Sequence, residues 1–152
     1  MPSAAAGPVA DNLIQARFPA TELAVRAQIA RVRACLAQTC TSAALQENVA
    51  ILLGEILNNI VEHSLAGQRD ARITLVITRE EAGLHVETQD SGRPLPPQLL
   101  TSARLPEMPV DRVDLPESGF GWFIIHALAD DMVYERANGT NRLSCRLTEP
   151  AR

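Results

Sequence analysis

Between residues 21 and 39, apolar positions return at three- and four-residue steps: Leu23, Ala27, Ala30, Ala34 and Ala37. That spacing predicts an amphipathic helix with this stripe on the core, led into by a short strand over residues 14–20. A second helical pattern runs through TSAALQENVAILLGEILNNIVEHSLAG, with Leu45, Val49, Leu52, Leu53, Ile56 and Ile60 as its buried stripe. Thr41 or Ser42 can cap its start and Gly67 its end. The period then drops to two. ARITLVITRE puts Ile73, Leu75 and Ile77 on one face, EAG turns, and LHVETQD alternates again, which predicts a β-hairpin. Residues 91–118 break both periods, with six of the ten prolines falling from Pro94 to Pro116. Such a density predicts a long loop without helix or central strand, acting as a lid. GFGWFIIHALAD predicts a third helix entered through two glycines; DMVYERA and NRLSCRLTE predict a second hairpin joined through NGT. Together these elements predict an α/β two-layer sandwich: a mixed, mainly antiparallel sheet covered on one face by helices.

Length and charge narrow the picture. A chain of 152 residues is expected to form one domain, residues 13–152, behind a flexible lead-in of residues 1–12. A net charge of −4 gives no blanket of positive potential, which argues against direct nucleic-acid binding. No apolar run approaches the roughly 20 residues of a membrane span. The three cysteines, Cys35, Cys40 and Cys145, are odd in number and lack a CxxC pair, which predicts reduced, buried thiols in a cytoplasmic protein. With His63, His85 and His126 they show no zinc-ligand spacing.

The candidate chemistry starts in EILNNIVEH, where Asn58 and Asn59 interrupt the strongest helical stretch. Glu55, Asn59 and Glu62 stand at i, i+4 and i+7, so they share one side of the helix beside the apolar stripe. Such a row lines a cleft or merely meets solvent. DSGRP places Asp90 and Gly92 at a strand end, where the glycine suits either a plain turn or a close approach to a ligand. SGFG places Gly119 and Gly121 at a helix start, where exposed N–H groups can hold phosphate. NGT is in the first instance a hairpin turn.

The order of these pieces is more specific than any one of them. E-x-x-x-N on a helix, D-x-G-x-P after a strand, a long lid, S-G-x-G before a helix and G-T in the last hairpin resemble the GHKL ATPases across residues 13–148. The short length and LPESGFGWFII followed by DDMV are similar to the RsbW/SpoIIAB-type anti-sigma-factor serine/threonine kinases in particular. The resemblance implies ATP and Mg²⁺ as cofactors. It assigns Asn59 to the metal, Glu55 to the general base, Asp90 and Gly92 to the adenine, Gly119 and Gly121 to the phosphates, and Thr140 to the adenine or phosphate contacts.

The same resemblance implies a partner-switching circuit, with a sigma factor, a STAS-domain antagonist and a homodimer as expected partners. One position departs from it. Members of the branch often carry a basic residue immediately before S-G, and here Glu117 stands there, with Arg104 and Arg112 nearby as substitutes. That departure keeps a second expectation in play: a nucleotide-binding interaction module that sequesters a partner without efficient phosphotransfer.

Overall fold

The computed structural model describes residues 11–101 and 117–150; the lead-in up to residue 10 and residues 102–116 of the expected lid lie outside them. The chain runs β1 (Asp11–Pro19), α1 (Glu22–Ala37), α2 (Ala43–Asn59), a π turn (Ile60–Ser64), β2 (Arg72–Glu80), β3 (Gly83–Asp90), α3 (Pro97–Thr101), α4 (Glu117–Leu128), β4 (Asp130–Ala137) and β5 (Thr140–Thr148). The strands form one sheet in the order β1-β2-β3-β5-β4, and helices cover one face of it. All four pairings are antiparallel, so the parallel pairing that a mixed sheet would contain is absent among the described strands.

Side-chain chemistry sets the helix starts. The Thr21 hydroxyl accepts the Ala24 N–H at 3.1 Å ahead of α1, and the Ser42 hydroxyl accepts the Leu45 N–H at 3.1 Å ahead of α2. On α2 the expected stripe is the buried one, Leu45, Val49, Leu52, Leu53 and Ile56. On α1 it is not. Leu23 is 78% exposed and Ala27, Ala30, Ala34 and Ala37 all face outward, while Val25, Val32 and Leu36 are buried with Ile29 packed beside them. Both sets recur at three- and four-residue steps, about half a turn apart. Burial favours the set with more apolar surface to remove from water, so the branched residues take the core and the alanines take solvent.

Alternation decides the sheet. Ile14 and Phe18 of β1, Ile73, Leu75 and Ile77 of β2, Leu84 and Val86 of β3, and Leu143, Cys145 and Leu147 of β5 all point into the helices. The opposite face is wet and ionic, with Arg142 on Glu87 at 2.6 Å and Arg146 on Glu80 at 3.0 Å. Exposed pairs of this kind contribute little stability and mainly finish a solvated face.

Three boundaries differ from the sequence pattern. The last turn of the α2 helical run is π, with the Leu65 N–H on the Ile60 carbonyl at 2.8 Å, before Gly67 at φ 84° ends the run. A short helix, α3, occupies part of the proline-rich stretch, because Pro97 at its first position has no N–H to leave unbonded. The third helix also starts earlier than expected, so Gly119 and Gly121 lie inside α4 rather than ahead of it.

The cysteines divide by environment. Cys145 is buried, Cys35 is half-buried, and Cys40, against expectation, is exposed beyond the end of α1. Burial, with a smaller contribution from the Asp130 charge, pushes the Cys145 thiol up to about 12. At pH 8 its thiolate is then about one part in 10⁴, and the thiolate is the reactive form. A thiol reagent added to native protein at pH 8 should therefore show a fast phase that Cys40→Ser removes, with Cys145 reacting only on unfolding. Fast native-state labelling of Cys145 in a peptide map would contradict this packing.

Candidate functional site

The site begins where β3 and β5 end side by side. Asp90 and Asn141 are cross-strand partners, and both are buried. The Asp90 Oδ1 accepts the Gly92 N–H at 2.8 Å and the Asn141 Nδ2 at 3.0 Å. The same Asn141 amide nitrogen donates to the Arg93 carbonyl at 2.8 Å, while its oxygen accepts from the Tyr134 hydroxyl and from Arg136 Nη1 at 2.7 Å. An asparagine amide has two N–H donors and two acceptor lone pairs, so Asn141 is fully used. Arg136 Nη1 also donates to the Gly92 carbonyl, and the Leu95 N–H donates to the Tyr134 hydroxyl. One amide thereby pins residues 92–95 over the sheet edge.

Gly92 is required by that path. A Cβ there would lie 2.2 Å from the Ser64 carbonyl oxygen and 2.8 Å from Asp90 Oδ1. Its neighbour Arg93 donates its N–H to the same Ser64 carbonyl at 2.8 Å, so the loop is stitched to the π turn. The close approach Gly92 permits is thus to the protein's own backbone.

Among the described residues both hydrogen bonds onto Asp90 land on Oδ1, and Asp90 lines a small cavity. That cavity, about 10 Å³, is lined by Asn59, Ser64, Thr88, Asp90, Trp122 and Asn141, with Leu95 and Tyr134 in its wall. An open pocket of about 290 Å³ adjoins it, lined by Asn59, Glu62, His63, Ser64, Arg93 and Leu99. Asn59, Ser64 and Leu95 belong to both, so Leu95 stands between a small recess and a wide mouth. His126 of α4 bonds the Leu99 carbonyl at 2.6 Å and holds α3 at the rim.

Glu55 lies one turn before Asn59 on α2 and faces α4. A Cβ on Gly121 would come within 2.6 Å of Glu55 Oε2. Gly121 therefore makes room for the Glu55 carboxylate where α2 and α4 pack. Of the residues singled out in the sequence, Asn59, Asp90 and Gly92 gather around the recess, and Glu55 and Gly121 meet beside it. Gly119 is in the first turn of α4. Thr140 pairs with Ala137 across the turn and is not among the residues lining the recess. Asn141, the next residue, is. The alternation Leu143, Cys145, Leu147 extends back to Asn141 on the inward face, so the sequence held that signal.

Mg²⁺ can be tested against these residues. Among the described residues no group of three or more His, Cys, Asp or Glu could hold an ion by itself. Asn59 offers a neutral amide oxygen at the junction of recess and mouth, with no hydrogen bond to another described side chain. That donor fits an ion whose remaining ligands are phosphate oxygens and water.

A family model described as a histidine kinase-like ATPase domain matches residues 18–147. Among solved structures the chain is similar to the RsbU and RsbW domains of Rv1364c from Mycobacterium tuberculosis, with a TM-score of 0.57 and 16% identity. The match covers 91% of this chain and 34% of that one, so the chain spans about a third of its length. At that identity the likeness shows the fold alone. No curated protein matches the sequence.

Asp90 carries an internal conflict that can be measured. Burial raises its carboxyl above the ordinary value of 3.8, against the lowering effects of the Asn141 and Gly92 hydrogen bonds and the Arg136 charge. A raised value means that the fold disfavours the charged form. The stability it contributes is complete below the unfolded value and is lost as pH rises through the folded one. Asp90→Asn, which keeps an acceptor for Gly92 and Asn141, should raise the melting temperature at pH 7, and the gain should fade below pH 3.8. A variant melting below the wild type at pH 7 would contradict this balance.

Proposed function

Because the chain belongs to the histidine kinase-like ATPase domain family, we propose that it is an ATP-dependent serine/threonine protein kinase and anti-sigma factor. It works in a cytoplasmic partner-switching circuit, phosphorylating a STAS-domain antagonist and binding a sigma factor or equivalent regulator, as a monomer or homodimer. The observation that carries the reading is Asp90: a buried carboxylate at a strand end, one oxygen committed to the loop, in the lining of a recess that it shares with Asn59. The RsbW fold match supports the circuit. No described helix is long and apolar enough to cross a membrane.

In this reading Asp90 Oδ2 accepts the adenine amino group through a charge-assisted hydrogen bond. Gly92 keeps the loop low enough over the π turn for the base to reach it. Asn59 holds Mg²⁺ through its amide oxygen. The ion, when bound, neutralises charge on the phosphate oxygens. Arg93 lines the same mouth as Asn59 and adds positive charge there. N–H groups of the first α4 turn around Gly119 face the phosphates. Glu55 accepts the proton of the substrate serine hydroxyl, at a distance from the phosphates that Gly121 helps to set. The base recess is narrower than an adenine, so nucleotide entry moves Leu95 and Tyr134 outward.

A second reading, the interaction module without efficient transfer, is favoured by the acidic Glu117 directly before Ser118. Phosphotransfer separates the two. Calorimetry with ATP and Mg²⁺ should show binding, and labelled phosphate should pass to a cognate STAS protein. Glu55→Gln should leave ATP affinity near the wild-type value while transfer falls roughly 10²–10⁴-fold. Asn59→Ala should lower both Mg²⁺-dependent binding and transfer. Transfer by Glu55→Gln at the wild-type rate would remove Glu55 from the mechanism. ATP binding without transfer to any cognate protein would leave the module as the function.

Gly121→Ala tests the same pair from the other side. The methyl meets only the flexible end of Glu55, and alanine is the better helix former by about 1 kcal/mol. The variant should therefore melt no lower than the wild type, bind ATP, and transfer phosphate more slowly. Unimpaired transfer would mean that Glu55 acts from another position.

A further inference from the structure

Trp122 is 3% exposed, yet its indole Nε1 has no hydrogen-bond partner among the described residues. Buried indole N–H groups normally find an acceptor. Phenylalanine would fill much of the same space on α4 without leaving a donor unbonded. Trp122 lines the recess together with Asp90, Thr88, Ser64 and Asn141. Trp122, with its unbonded donor, and Asp90, with one carboxylate oxygen free of hydrogen bonds among the described residues, thus line the same recess, whose other walls include Ile56, Ile60 and Leu143.

We propose that Trp122 is a base-reading residue, its Nε1–H donating to an unprotonated ring nitrogen of the nucleotide base whose exocyclic amine bonds Asp90. The inference rests on the nucleotide site proposed above and specifies what that site selects. An acceptor beside a donor matches an amino group next to a bare ring nitrogen, as adenine presents. Guanine and hypoxanthine present a carbonyl and a ring N–H there, which sets acceptor against acceptor and donor against donor. Leaving a buried polar group unpaired is what gives such sites their discrimination. Asp90 can accept an amine from several bases; the second, oppositely signed contact excludes those that present a ring N–H beside it. Asn141 cannot supply that donor, because both its N–H groups are committed to Asp90 and Arg93.

The test uses the whole protein with ATP, GTP and the 1-, 3- and 7-deaza analogues of ATP. Wild type should bind ATP with Mg²⁺ and reject GTP. One deaza analogue should bind it about 2- to 12-fold more weakly than ATP, the scale of one neutral hydrogen bond. Trp122→Phe should bind ATP weaker by that same factor and should no longer distinguish ATP from that analogue. A variant that binds as tightly as the wild type overturns the proposal, as does one that weakens ATP and all three analogues alike, which marks a structural role. Trp122 is the chain's one tryptophan, so wild type has a single indole N–H resonance. ATP should move it downfield and the discriminating analogue should not, which tests the contact even if Trp122→Phe misfolds. An unmoved resonance under saturating ATP overturns the proposal alone, whereas wild type that binds no ATP removes the nucleotide site beneath it.

Discussion

The Asn141 amide, buried between strands that lie some fifty residues apart in sequence, is the contact on which the site depends. Its two donors and two acceptors hold Asp90, Arg93, Tyr134 and Arg136 in one arrangement. A buried network of this kind stabilises only when every member is satisfied, because any unpaired group is left without water. The β3–β5 pairing sets the two side chains face to face, and the loop after Asp90 folds back because its own N–H and C=O groups complete the set. Sheet register, loop path and the direction of one carboxylate oxygen are thus a single constraint.

Helix α2 serves the core and the cleft at once. Its apolar stripe is closed against the sheet, which fixes the rotation of the helix and so the direction of Glu55 and Asn59. The π turn that follows adds one residue to the turn, and π turns recur at functional sites. Here it delivers the Ser64 carbonyl to the Arg93 N–H and the rest of Ser64 to the wall of the recess. The run of asparagines in the middle of a helix is intelligible on these terms. Asn59 faces the junction of recess and mouth, while Asn58 is exposed and touches neither.

Much of this was legible before any coordinates. The hairpins, the α2 stripe, the glycine turn and the place of Asp90 follow from two periods and a few turn residues. What was not legible has physical causes. On α1 two stripes share one period on opposite faces, and only the sizes of Val25, Val32 and Leu36 against four alanines decide between them. Thr140 stood out because it follows Gly139, yet a one-residue step in a strand reverses the face, and the inward residue is Asn141. Residues within helices are harder still. That Gly121 serves Glu55 depends on how α4 crosses α2, a tertiary distance that local pattern does not contain.

The two halves of the site rest on different supports, and that division bears on how it works. Glu55 and Asn59 stand on a helix whose far face is locked in the core, so their spacing is set by regular geometry. Asp90 is equally fixed, but the wall over it is Leu95 and Tyr134, joined to each other by one hydrogen bond and to the Asn141 amide by another. Opening that wall disturbs the loop and an edge strand while leaving α2 and the β3–β5 pairing intact. On the proposed reading, base entry can therefore proceed without moving Glu55 and Asn59. On that reading retention of nucleotide and transfer of phosphate are separable in this fold, so a change at Glu55 or Gly121 would leave a protein that still binds.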